Sequence, residues 1–600
     1  MRQAAHSITA DDAPVNPITA EIISYALNSI PNQIDTNITR TAYSPLIYEY
    51  KDYAVGLVDA EGRLISQCKG GIPIFTANTL GVAIVDGLEL HGRDGIRAGD
   101  VLISNHSGTL GQHLNNVVMY TPIFAGPKDD DLFGFMAVNV HWMDIGGSTV
   151  GSCLSNTSTD IFQEGIQFRS VKLWSAGEAV TDMYRMIEVN TRMPKMVLGD
   201  LEAQLAGCLM GRDMVLEVIR KYGLDVTRKS VARMWESSER AARSAVSRFP
   251  KGAYKASAFL DNDGINADQT IPVVVEVRVD GDEMTVDFSG VGAQVMGPLN
   301  SGINGGAVTA ARVAFRYLVL PDEQGNHGTY RPLKVVIPDG TFLSAAADAP
   351  KGSYSAALPT VIDTVVKAMA QAMPEKGAGG HHGTFNVHVF YGRHPASHEV
   401  FHSLETGHGG WGATAAQDGQ GPFKTMVHGD TLDVPVEVQE AIYPLRIDKL
   451  GLRRDSGGPG KYRGGLGVEK EYTVLAPCRL TVAIERTKCA PWGMGGGEAG
   501  QSTRAYVQSK GKPRRKILKD DVALVRGDRV VLATGGGGGY GPANKRDVER
   551  VADDVRHGYI SARAARDAYG VVVSAGGVVD RKATEKRRRT MATKTPIPIR

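Results

Sequence analysis

Two short segments of this 600-residue chain carry side chains able to hold a metal ion. GQHLNN (Gly111 to Asn116) supplies His113 and Asn116, and HWMDIGG (His141 to Gly147) supplies His141 and Asp144. Asp52 stands just before a strand-like run, close to Glu49. Two imidazoles with carboxylate or carboxamide oxygens make a mixed nitrogen and oxygen donor set, suited to zinc, manganese or iron(II). Such a centre polarises a carbonyl as a Lewis acid or lowers the pKa of a bound water. Taken singly, each histidine also fits a hydrogen-bonded structural imidazole, so spacing alone leaves both readings open.

A second concentration of imidazoles lies between His381 and His428, which holds eight of the chain's 15 histidines. Their spacing matches no metalloprotease or zinc-finger pattern, and the bland expectation is a polar loop with scattered surface histidines. Within it, His408-Gly409-Gly410-Trp411 suits a pocket wall, because glycine admits close backbone approach and tryptophan offers a flat apolar face. Three glycine-rich loops follow: Asp455 to Gly467, Gly493 to Gly500 and Gly535 to Gly541. Neither GxxxxGK[ST] nor GxGxxG between strand and helix is met, since Lys461 precedes Tyr462, so these loops are expected to be structural turns. GxSxG is absent, which sets a serine hydrolase aside. Five cysteines without a CxxC pair indicate neither a disulfide framework nor a cysteine-rich zinc site.

The elements that must position these groups follow from patterning. Asn16-Pro17 starts a helix with apolar residues at helical spacing, which Pro31 is expected to interrupt. Lys51 to Gln67 reads as two strands around a turn, and amphipathic helices are predicted near 200–221 and 225–249. After Pro250-Lys251-Gly252 the pattern turns to alternating strands, with Asp280-Gly281 as a hairpin turn. The expected organisation is a polar leader (1–15), an N-terminal α+β metal-site domain (16–252), a central α/β region with His/Gly-rich loops (253–433), a β-rich domain (434–545), a short helical segment (546–577) and a basic tail (578–600). The fold class is therefore α+β, multidomain, with a mixed N-terminal half and a β-rich C-terminal half. The formal charge is only +2, which excludes a protein built broadly to coat nucleic acid or an anionic membrane. The basic excess is local to the tail, which is expected to be solvated. Without an apolar leader or a long apolar stretch, the chain reads as cytoplasmic.

Several of these segments together resemble one family. DSGGPGKYRGGLG (Asp455 to Gly467), PVEVQEAIYPL (Pro435 to Leu445), GGGGGYG with the following RDVERVADDVRHGYIS, and HWMDIGG are similar to the hydantoinase B/oxoprolinase family, in order from Asn16 to about Val572. The resemblance implies a hetero-oligomeric, two-component enzyme. A hydantoinase A-type ATPase partner would bind ATP and phosphorylate a carbonyl or enol oxygen of a small-molecule substrate. This chain would hold a divalent metal (Zn, Mn or Fe) and complete the turnover. By motif, the metal ligands carried over are Asp52, His113, Asn116 and His141, with Asp144 a neighbour that orients them. Asp144 or Glu49 is expected to act as general base. Asn116 departs from the family's aspartate, and a carboxamide is a poorer ligand than a carboxylate. The leading expectation is an ATP-dependent cyclic amide hydrolase. The alternatives are a subunit of an acetone- or acetophenone-type carboxylase and a non-catalytic scaffold that has lost its metal.

Overall fold

The computed structural model describes residues 15–125, 130–153 and 156–592. Residues 1–14 of the expected leader and 593–600 of the expected tail lie outside that range. The helix Pro17–Thr41 is capped by Asn16, whose side-chain oxygen accepts from the Ile18 amide at 2.9 Å. Contrary to expectation, this helix runs through Pro31. Pro31 has no N–H for the Leu27 carbonyl four residues back, and the Ser66 hydroxyl donates to that carbonyl instead, at 2.9 Å. Ile23, Leu27, Ile30, Ile34 and Ile38 form the buried stripe of the helix.

That stripe packs on a sheet of β1 (Tyr53–Asp59), β2 (Leu64–Gln67), β3 (Val101–Ser104), β4 (Asn116–Ala125), β5 (Asp131–His141), β6 (Val171–Ser175) and β7 (Glu178–Ala179). Its order is β2-β1-β5-β4-β3-β6-β7, antiparallel throughout. Helix Pro194–Tyr222 lies beside Pro17–Thr41 on the same face, with Leu224–Val246 against both, and Thr79–His91 covers the other face. Coverage on both faces is why β1 is buried at every position rather than at alternate ones.

A second sheet contains β8 (Gly252–Leu260), β9 (Ile271–Asp280), β10 (Glu283–Asp287) and β11 (Leu333–Val336), in the order β11-β10-β9-β8. β9 alternates buried and exposed, with helix Leu358–Met369 over its buried face. The turn at Asp280-Gly281 joins β9 to β10, with Gly281 at φ +66°. One apolar core runs from Ile23 across positions 252 and 433.

The remaining strands make a sandwich. One sheet is β13 (Val400–Glu405), β12 (Val387–Arg393), β16 (Cys478–Ala483) and β19 (Lys519–Leu524), in that order. The other is β14 (Leu445–Leu452), β15 (Val468–Val474), β20 (Arg529–Ala533), β17 (Arg504–Gln508) and β18 (Arg515–Lys516). Phe390, Leu480 and Val522 from the first meet Tyr472, Val507 and Val530 from the second in a separate core.

The glycine-rich loops lie backbone on backbone beside this sandwich. A Cβ on Gly537 would sit 1.9 Å from the Trp411 carbonyl oxygen, and one on Gly464 would sit 1.9 Å from that of Gly537. Amides of Gly410, Gly537 and Gly458 donate to the carbonyls of Gly535, Gly465 and Gly537 at 3.0, 2.9 and 2.8 Å. Only residues without side chains fit at such spacing. Part of the basic tail, Arg581–Ala592, is a helix, and most of its described residues stay exposed. Arg588 donates to the carbonyls of Arg546 (2.7 Å) and Tyr569 (3.2 Å), and the Thr584 hydroxyl accepts from the Val572 amide at 3.0 Å. Among the described residues, helices and four separate sheets give the α+β class read from the sequence. Among the described residues no helix is long and apolar enough to cross a membrane.

Candidate metal centre

β1, β5 and β4 are adjacent interior strands of the first sheet, and antiparallel pairing brings the start of β1, the end of β5 and the start of β4 to the same end of it. Asp52 immediately precedes β1, His141 ends β5 and Asn116 begins β4. The register pairs Asn116 with His141, and the His141 amide donates to the Asp52 carbonyl at 3.1 Å. His113 sits in the turn leading into β4, where its carbonyl accepts from the Asn116 amide at 3.3 Å. Antiparallel pairing thus gathers residues from three chain segments.

Asp52, His113 and His141 line one buried cavity of about 40 Å³, enough for a few water-sized guests. Its wall also carries Tyr50, Cys153, Tyr354 and Thr406. The rings of His113 and His141 meet edge to face, 5.0 Å between centroids, and Tyr354 packs on His113 in the same manner at 5.1 Å. Asn116 is oriented by its own amide hydrogens, which go to Gln112 Oε1 and Tyr354 Oη, each at 3.0 Å. Gln112 in turn donates to the Ile74 carbonyl at 2.9 Å. The Asn116 oxygen therefore faces His113 Nε2, at 2.8 Å.

The electrostatics of this cavity suit a cation. Burial pulls His113 down to about 4 and His141 well below the usual imidazole range, so both rings stay neutral. Burial raises the Asp52 carboxyl to about 7, only partly offset by the Lys424 ammonium. His141 Nδ1 is buried without a hydrogen-bond partner, and its Nε2 touches Cys153 Sγ at 3.5 Å. The neutral His141 ring with its unpartnered Nδ1, and a carboxylate short of positive charge, suit a divalent ion, whereas His113 would give up a contact to Asn116 Oδ1 or to the Gly352 carbonyl (3.4 Å) in order to ligate. The residues present fit such an ion.

The two carboxylates expected to move protons stand elsewhere. Asp144 is fully buried and its oxygens are occupied. They accept from the Arg192 amide (2.7 Å), Arg192 Nη1 (2.8 Å), the Gly151 amide (2.9 Å) and the Thr191 and Ser152 hydroxyls. Asp144 thereby ties down the loop that ends in Cys153. Glu49 follows the short helix Pro45–Tyr48 and is not among the residues lining the cavity.

Sequence reasoning missed Cys153, Tyr354 and Gln112, none of which has a telling spacing. It also missed Lys424, buried with Nζ donating to the Thr406 carbonyl (2.6 Å), the Thr406 hydroxyl (3.0 Å) and Asp433 (2.6 Å). The Thr406 hydroxyl lies 2.6 Å from that of Tyr50. The His/Gly-rich stretch is not a surface loop, because His381, His382, His388, His402 and His428 are buried. His408 and Trp411 do form a pocket wall, in an open cavity of about 870 Å³ that Lys424 also borders. Trp411 stacks on His381 there, 4.5 Å between ring centroids.

Known proteins share both the sequence and the fold. A protein from Pseudomonas sp. (strain NS671), provisionally named as the B-type component of a D-/L-hydantoinase, is 30% identical, over 97% of this chain and 99% of that one. The crystal structure of ATP-dependent caprolactamase from Pseudomonas jessenii superposes with a TM-score of 0.88 at 26% identity, covering 96% of this chain and all of that one. A nucleotide-free acetone carboxylase structure shares the fold, also at TM-score 0.88, with 21% identity over 97% of this chain and 84% of that one. Residues 16–543 match the Hydantoinase B/oxoprolinase family, and with these likenesses over almost its whole length the chain belongs to that family.

Proposed function

We propose that this chain is the metal-bearing catalytic subunit of a two-component, ATP-dependent amidohydrolase acting on a small cyclic amide. Asp52, His113, Asn116 and His141 are the residues that would hold the ion. The observation carrying the proposal is the convergence of Asp52, His113 and His141, with Asn116 bonded to His113, at one end of three adjacent strands around a cavity that favours a cation. A divalent ion bound there supplies Lewis-acid polarisation to the reacting carbonyl. ATP, in this reading, is bound by a partner of the hydantoinase A type in the cytoplasm. The partner's phosphoryl transfer activates the amide oxygen. Water then adds to the carbon, the C–N bond breaks with the nitrogen taking a proton, and a second water hydrolyses the resulting acyl phosphate to carboxylate and phosphate.

The chain's own groups have distinct parts in this scheme. The open cavity walled by His408 and Trp411 admits the substrate, the flat indole face suiting a small ring. Tyr50 and Thr406, joined hydroxyl to hydroxyl and held by Lys424, present the donor that protonates the departing nitrogen. Asp144 positions the loop at the cavity wall rather than acting as base.

The test is reconstitution with the ATPase partner on hydantoin, caprolactam or 5-oxoproline, with and without bicarbonate. ATP-dependent ring opening without bicarbonate, abolished by His113→Ala, is the expected result. Full turnover by that variant would sink the assignment. Strict bicarbonate dependence would instead move the chain to the carboxylase branch, whose fold it shares.

A further inference from the structure

The donor set carried by the family motifs is short of negative charge. With Asn116 neutral, Asp52 is the one carboxylate among the described residues lining the cavity, so a divalent ion there would keep half its charge uncompensated. Among side chains as buried as these that shortfall is costly. Of the other groups on the cavity wall able to lose a proton, the Tyr50 and Tyr354 hydroxyls are engaged with Thr406 and Asn116, which leaves the thiol of Cys153.

Three observations make this thiol more than a buried cysteine. Ligand atoms of His113, His141 and Cys153 all lie within 4.8 Å of one another. Cys153 Sγ is 3.5 Å from His141 Nε2. Zinc bonds of about 2.3 Å to sulfur and 2.05 Å to nitrogen, at a tetrahedral angle, separate those two atoms by roughly 3.6 Å. Finally, this sulfur is the one hydrogen-bond contact of the His141 ring among the described residues, its Nδ1 being buried with no partner. The position of the sulfur is itself fixed. Asp144 and Arg192 pin the loop from Gly146 to Ser152, and the Cys153 amide donates to the Gly151 carbonyl at 2.6 Å.

We propose that Cys153 is a thiolate ligand of the centre, replacing the charge that Asn116 lacks and biasing the site towards zinc over manganese. The inference rests on the metal-centre reading above and deepens it. On binding, the Cys153 S–H bond breaks, its proton leaves to solvent and a metal–sulfur bond forms; nothing is oxidised or reduced. Asp52 and the thiolate then supply two negative charges against the ion's two positive ones. A sulfur donor discriminates as well as binds, because thiolate suits zinc or cobalt and is a poor partner for manganese or magnesium.

The test uses the full-length protein and needs no substrate. Metal-free protein is titrated with Co²⁺ and Zn²⁺, following the near-ultraviolet thiolate-to-cobalt charge-transfer band and the bound metal by elemental analysis. Thermal unfolding confirms that each variant is folded. The wild type is expected to bind about one ion per chain with the band present, the ion count being that of a single mononuclear site. Cys153→Ser should lose the band and bind about 100-fold or more weakly, past the 10–100-fold typical of outer partners. Adding Asn116→Asp to Cys153→Ser should recover affinity without recovering the band, because the charge returns on oxygen. The other four cysteines are buried away from this cavity, so the band is assignable. Cobalt binding without the band, and equally tight in Cys153→Ser, would overturn the thiolate ligand while leaving the centre standing. No binding of either ion by the wild type would overturn the centre itself, and the ligand with it.

Discussion

Asp144→Asn separates a positioning carboxylate from a catalytic one. The substitution keeps the shape of the side chain but turns an acceptor into a partial donor, facing the Arg192 guanidinium and two backbone amides. Bonds to a charged group contribute about 1.5–3 kcal/mol each, and breaking a buried ion pair costs about 3–5 kcal/mol. Arg192 keeps 32% of its side-chain surface exposed, so water recovers part of that loss, and about 3 kcal/mol is the reasoned cost. For an unfolding unit of about 150–250 residues this lowers the thermal midpoint by about 6–12 °C. Differential scanning calorimetry on metal-free protein reads that shift, and a Zn²⁺ titration reads the loosening of the Cys153 loop. An unchanged midpoint and unchanged zinc affinity, together with lost turnover, would refute the argument. Asp144 would then be moving protons.

Three other outcomes are expected. Lys424→Met should lower kcat by about 100-fold, the range of a lost proton donor, with little change in KM; steady-state kinetics with the partner checks it. Burial alone would raise Glu405, but Lys470 and His388 draw it down to about 2. Because its folded pKa lies below the unfolded value of 4.5, its stabilisation is complete above that pH and is lost as pH falls from 4.5 towards 2. The loss is about 3 kcal/mol, and acid unfolding of Glu405→Gln should show a flatter pH dependence across that window. Gly537→Ala places a methyl 1.9 Å from the Trp411 carbonyl and should yield insoluble protein or a midpoint at least about 6 °C lower, an overpacking cost of about 3 kcal/mol. Expression and calorimetry decide that one.

Much of the site was legible because its residues sit at the ends of strands, where local motifs survive. HWMDIGG contains the last residue of β5 and the turn after it, and GQHLNN runs into the start of β4. The helices were legible from period, save where tertiary structure overrode a local rule. Pro31 reads as a break because the partner that satisfies Leu27, Ser66, is 39 residues away. Cys153 and Lys424 were illegible for the same reason. Each is an ordinary residue made special by neighbours from distant segments, His141 in one case and Thr406 with Asp433 in the other. The His/Gly-rich stretch misled because glycine and histidine are loop residues on average. Here they fill a dense interior, with the ring of His381 under Trp411.

The stacked glycine loops blur the usual line between loop and core. Their amides are paired with carbonyls of neighbouring loops and shielded by backbone rather than by side chains. In a hydrogen–deuterium experiment, peptides spanning 456–467 and 535–541 will exchange on the slow timescale of interior strands, despite having little regular secondary structure. Proteases that favour glycine-rich, irregular segments will find no purchase there. Sequence drift in this region is confined as well, since nearly any new side chain would wedge two backbones apart.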